Sequence, residues 1–151
     1  MESMSVGPSK LEKSHVDKRK LCKLTIVGGA AFWATNFAIS LTPIAAEYRD
    51  ALSISYFPMI VESLLGGLII GFFVSLFLLR FFDRIPTDNP IVKSVIISII
   101  GLVLITLLLQ VPVVYSTPND ALRYFLIGTM FNVIRILALG ITIGYLFKRL
   151  V

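Results

Sequence analysis

Four apolar runs, separated by connections of a few residues each, occupy almost the whole of this 151-residue chain. They read as spans at about 24–46, 56–80, 93–114 and 121–147, since a helix needs about 20 apolar residues to cross the hydrocarbon of a bilayer. Inside lipid every backbone amide and carbonyl must find its partner within the protein, so runs of this length are expected to be helical. Composition agrees: 56% of the residues are hydrophobic, only 15% are charged and the mean hydropathy is +0.87, against roughly 25% charged residues in a soluble domain. The expected fold is an all-α integral membrane four-helix bundle built from two helical hairpins. It has a transmembrane domain over 24–151 and a basic tail over 1–23 that is disordered or lies on the membrane surface.

Basic residues orient the bundle. Lys10, Lys13, Lys18, Arg19, Lys20 and Lys23 precede the first span, Arg80, Arg84 and Lys93 flank the 81–92 connection, and Lys148 and Arg149 close the last span. Arg49 and Arg123 alone fall near the other two connections. The positive-inside rule then places both termini in the cytoplasm and the 47–55 and 115–120 connections outside, as expected of a multi-pass protein of the cell membrane. The formal charge of +5 is a topology signal. It also suits contact between the N-terminal tail and anionic lipids, and a short basic tail before a span supplies no folded surface for nucleic acid. The first span is expected to be retained: Ala45-Ala46 resembles a signal cleavage site, but the apolar run exceeds a typical signal core. Cys22 is the single cysteine, which excludes an internal disulfide and a multi-cysteine metal site; no cofactor and no metal is expected.

The connections carry turn chemistry. Thr117-Pro118-Asn119-Asp120 reads as an N-cap followed by a proline at the first helical position, which would start the fourth helix near Pro118. Two prolines between Asp83 and Pro90 separate the second span from the third. Tyr48, Tyr56, Tyr115 and Tyr124 fall where an outer aromatic belt would lie, and Gln110 reads as an interfacial polar residue.

Glu62 and Arg135 stand inside the second and fourth runs, each followed five and nine residues later by glycine: Gly67 and Gly71, Gly140 and Gly144. At 100° per residue these glycines lie about 140° and 180° around the helix from the charge, so each helix has a charged face and a glycine face. Glycine faces suit close helix packing, within the chain or against a second copy. The matched spacing, together with Asp50-Ala51-Leu52 against Asp120-Ala121-Leu122, is compatible with a parallel internal repeat of the two hairpins. At about 1.5 Å of rise per residue, Glu62, Asn36 and Asn132 fall in the outer half of the membrane and Arg135 nearer the midplane, with its side chain leaning outward toward them, so the four make a polar intramembrane cluster. An unpaired charge near the bilayer centre costs at least about 2.5–3.5 kcal/mol.

Two functions follow. In one, Glu62, Arg135, Asn36 and Asn132 form the site of a small transporter or channel-like protein, with Arg135 binding an anionic group. In the other, Glu62 and Arg135 form a structural ion pair in a structural or partner-binding subunit. A homo-oligomer or a partner membrane subunit is expected in both, because four helices enclose little space. An enzyme is not expected: His15, the single histidine, lies in the tail, and the chain has neither a Gly-x-Ser-x-Gly nor a His-Glu-x-x-His motif.

Overall fold

The structure, a computed structural model, describes residues 16–150. Among them are five α-helices and no strand: α1 (Lys18–Ser40), α2 (Pro43–Ala51), α3 (Tyr56–Phe81), α4 (Pro90–Ser116) and α5 (Ala121–Leu150). A single 3-10 turn, Phe82–Arg84, extends α3. The four long helices are each long and apolar enough to cross a membrane. Their outward faces carry exposed Leu, Ile, Val and Phe, while α4, one of the most apolar helices, buries Lys93, Ser94, Ser98 and Gln110. Apolar residues outside and small polar residues inside is the arrangement a lipid solvent favours. The chain is an all-α multi-pass membrane protein.

Spans α1 and α4 run one way, and α3 and α5 the other. The end holding Lys18 and Leu150 is called basal here, and the end holding α2 is called upper. Around the bundle the order is α3, α1, α5, α4: α1 packs along both α3 and α5, α5 along α4, while α3 and α4 barely touch. Helices α3 and α5 therefore face each other across a diagonal.

Glycine decides the two tight pairs. A Cβ on Gly71 would stand 3.0 Å from the Thr25 carbonyl oxygen, and one on Gly67 would stand 3.0 Å from that of Gly29, so α3 lies directly on the backbone of α1. A Cβ on Gly144 would come within 2.5 Å of Ile91 Cα, and one on Gly140 within 2.5 Å of Ser98 Oγ, so α5 lies on α4 in the same manner. Both glycine faces are spent inside the chain, that of α3 against α1 and that of α5 against α4. The apolar core joins α1, α3 and α5 in the basal half through Leu24, Phe32, Val74, Leu78, Ile136, Leu139, Ile143 and Phe147.

Three boundaries differ from the sequence reading. The first span does not run to residue 46: α1 stops at Ser40 and a separate short helix, α2, begins at Pro43. Thr42 is its N-cap, accepting a hydrogen bond from the Ala45 amide, with proline at the first helical position. The basic tail is helical from Lys18, because the Asp17 carboxylate accepts from the Arg19 and Lys20 amides and caps α1. Expectations for residues 1–15, His15 included, lie outside the described residues. Thr117-Pro118 closes α4 instead of opening α5: Thr117 is the C-cap, its hydroxyl donates to the Val113 carbonyl at 2.8 Å, and α5 begins at Ala121.

Candidate polar cavity in the upper half

Helix α2 lies across the upper end and is tied down at three points. The Glu47 carboxylate meets the Arg123 guanidinium of α5 at 2.6 Å, the one ion pair among the described residues. Arg49 donates to the Ser40 carbonyl at 3.1 Å, satisfying a free carbonyl at the end of α1, and its guanidinium stands over the Tyr56 ring. Tyr48 points inward and donates to Gln110 Oε1 at 3.4 Å, with its ring edge-on to Tyr124 and Phe131. Burial pushes the Tyr48 phenol above its ordinary value, so it stays a neutral hydrogen-bond donor at physiological pH.

Beneath this lid is a cavity of about 440 Å³ to which all four long helices contribute. Asn36 comes from α1, Glu62, Ser63 and Gly66 from α3, Gln110 from α4, and Asn132 and Arg135 from α5. The four residues singled out from the sequence, Glu62, Arg135, Asn36 and Asn132, therefore line one space.

Glu62 and Arg135 do not form the expected ion pair. The physical reason is the helix order: α3 and α5 sit on a diagonal with the cavity between them. Arg135 Nε instead donates to the Phe131 carbonyl of its own helix at 3.1 Å, and the guanidinium stands 5.8 Å from the Phe32 ring centroid. Its terminal nitrogens have no hydrogen-bond partner among the described residues. Glu62 is exposed on the opposite wall. Asn36 and Asn132 are 4% and 3% exposed, and neither Nδ2 has a partner. A buried amide left without a hydrogen bond costs about 1–3 kcal/mol, so two of them beside a half-buried guanidinium form a set of unused donors.

Gln110 and Tyr48 lie inside the bundle, the first buried and the second half-buried. Gln110 is 4% exposed and buried within the bundle, not interfacial. It fits because Gly128 leaves room: a Cβ there would collide with the Gln110 amide and the Tyr48 hydroxyl. Of the expected aromatic belt, Tyr56 and Tyr115 are exposed, whereas Tyr48 and Tyr124 turn inward. Polarity inside an apolar run was the available signal for Gln110; nothing in the sequence signalled the inward turn of Tyr48.

No protein-family model, curated protein or solved structure matches this chain. The cavity's own chemistry is what bears on function. Among the described residues no group of three His, Cys, Asp or Glu side chains gathers. The donors are amide and guanidinium N–H groups, a set suited to oxygen atoms bearing negative charge.

Proposed function

We propose that this protein is a small transporter or channel-like membrane protein whose upper cavity binds an anionic group. One observation carries the reading: Arg135, Asn36 and Asn132 line a single intramembrane cavity with donors that no protein group uses. Arg135 supplies the charge, the two asparagines orient oxygen atoms, and Gln110 with Tyr48 closes the upper wall. Glu62, exposed on the opposite wall, does not pair with Arg135 and so leaves its terminal nitrogens to the anion. The absence of an ion pair between Glu62 and Arg135 among the described residues supports this reading over the alternative of a structural pair. By the distribution of basic residues the cavity lies in the non-cytoplasmic half, with both termini in the cytoplasm. Binding and passage, not bond chemistry, is the proposed activity, and a homo-oligomer or partner subunit would complete any pathway across the membrane.

The test uses a single thiol in the cavity wall. Ser63→Cys, in a background where Cys22 is replaced by serine, is treated in sealed vesicles with membrane-impermeant thiosulfonates carrying either a sulfonate or a trimethylammonium group. The sulfonate reagent is expected to react about tenfold faster, as a focused positive potential would dictate, and Arg135→Gln should abolish that preference. Failure of both reagents to react from either side, or a preference that survives Arg135→Gln, rejects the proposal.

A further inference from the structure

The polar cavity has an apolar neighbour. A second cavity, about 710 Å³ and lined wholly by apolar side chains and Gly101, fills the gap where α3 and α4 fail to pack. Ile70 of α3 and Ile105 of α4 line both spaces, so the polar chamber and the lateral cleft adjoin at this pair. The cleft runs along α4 from Ile96 to Leu108, about 18 Å of helix rise. That is close to the depth of one leaflet, roughly half of the 30 Å hydrocarbon thickness. Its flank is formed by residues exposed on the outer face of the bundle, among them Ile69, Phe73 and Phe77 of α3 and Ile100 and Leu104 of α4.

A compartment with unused cationic and amide donors at one end, and a leaflet-deep apolar cleft at the other, has the two-part character of an anionic lipid. We infer that the occupant is an anionic phospholipid, its phosphate held by Arg135, Asn36 and Asn132 and an acyl chain lying between α3 and α4. It reaches the site sideways from the bilayer, through the α3–α4 gap. Charge complementarity at Arg135 selects anionic over zwitterionic headgroups. The cleft selects a lipid over a soluble anion. The inference rests on the anion-binding reading of the upper cavity and adds the chemical class of what binds there.

Gly101 and Arg135 separate the two halves of the inference. Gly101 lies in the cleft, and a Cβ built on it meets nothing within 4 Å, so Gly101→Phe fills the cleft without displacing backbone. Arg135→Gln removes the charge, and Arg135→Lys restores it. Full-length protein in detergent is titrated with phosphatidylglycerol or phosphatidylcholine and followed by native mass spectrometry. Binding of inorganic sulfate is followed separately by thermal shift. The parent is expected to retain one phosphatidylglycerol at least tenfold more tightly than phosphatidylcholine. Arg135→Gln and Gly101→Phe should each weaken phosphatidylglycerol at least tenfold, Arg135→Lys should recover most of it, and Gly101→Phe should leave the sulfate response unchanged. If Arg135→Gln weakens both ligands while Gly101→Phe weakens neither, the cavity is a soluble-anion site: the lipid inference is overturned and the proposed function stands. If Arg135→Gln changes nothing, both fail. A phosphatidylcholine affinity equal to that for phosphatidylglycerol overturns the headgroup assignment. A change from dimer to monomer mass on Gly101→Phe shows that a second copy fills the cleft, which also overturns it.

Discussion

A parallel pairing of two hairpins would make the α1–α5 seam and the α3–α4 seam equivalent, yet one is closed and the other open. At the closed seam Gly28 of α1 receives Ile143 of α5, whose Cδ1 would lie 2.6 Å from an added Cβ, and Leu139 and Phe147 seal the contact within the buried core. At the open seam bulky side chains face a gap from both sides, and Gly101, the glycine available to admit one of them, is approached by nothing. In lipid no hydrophobic force drives apolar helices together, so contact follows where a small residue admits a partner's backbone or side chain. Where that fit is missing, lipid is as good a neighbour as protein. The polar cavity adjoins the open seam at Ile70 and Ile105.

Disrupting the glycine-sealed contacts should have the largest effect. Gly71→Leu or Gly144→Leu forces a side chain into the backbone of α1 or α4 and should cost more than about 3 kcal/mol, beyond ordinary overpacking. The check is detergent thermal stability and recovery of monodisperse protein; near-parental stability would mean these helices are free to separate. Next is Lys93→Met, at the basal corner where the hairpins join. Lys93 is 5% exposed, donates from Nζ to the Phe82 carbonyl and stands 3.6 Å over the Phe82 ring. Losing a charge-assisted bond of this kind should destabilise by about 1.5–3 kcal/mol in chemical denaturation.

The open regions should respond in the opposite direction. Gly66 lines the polar cavity and Gly101 the cleft, and neither would bring a Cβ into contact with anything. Gly66→Ala and Gly101→Ala should therefore be neutral or stabilising by up to about 1 kcal/mol, from helix propensity alone; a lowered melting temperature would mean the seam closes in the membrane. The smallest effect is expected from the cycle of Glu62→Gln, Arg135→Gln and the double variant. Because the two groups do not pair, their stability effects should add, with a coupling below about 0.5 kcal/mol. Strong mutual rescue would restore the ion-pair reading.

Gly66 and Gly67 show why part of the site was legible and part was not. They are neighbours in sequence, yet Gly67 lies on the α1 backbone and Gly66 faces the polar cavity. Spacing from Glu62 identified the face that holds Gly67 and Gly71, because helical periodicity is a local property. The same periodicity could not say which helix would cover that face. Thr42-Pro43 carries the signal that was read at Thr117-Pro118, a threonine cap before a proline, but it was hidden within an apolar run. Conversely, Thr117 closes a helix because its hydroxyl back-bonds to Val113, and either use of a threonine satisfies free backbone groups equally well.

The sequence by itself determined that four helices are long and apolar enough to cross a membrane, how the basic residues are distributed between their ends, and that Glu62, Asn36 and Asn132 fall toward one end of the bundle with Arg135 nearer its middle. Length, composition and rise per residue are enough for each of these. Only the tertiary structure decided that α3 and α5 lie on a diagonal, so that opposite charges at matched positions line a common cavity without meeting, and that the α3–α4 seam stays open. Those outcomes depend on which side chains find a glycine across from them, a property of pairs of helices that no single helix carries.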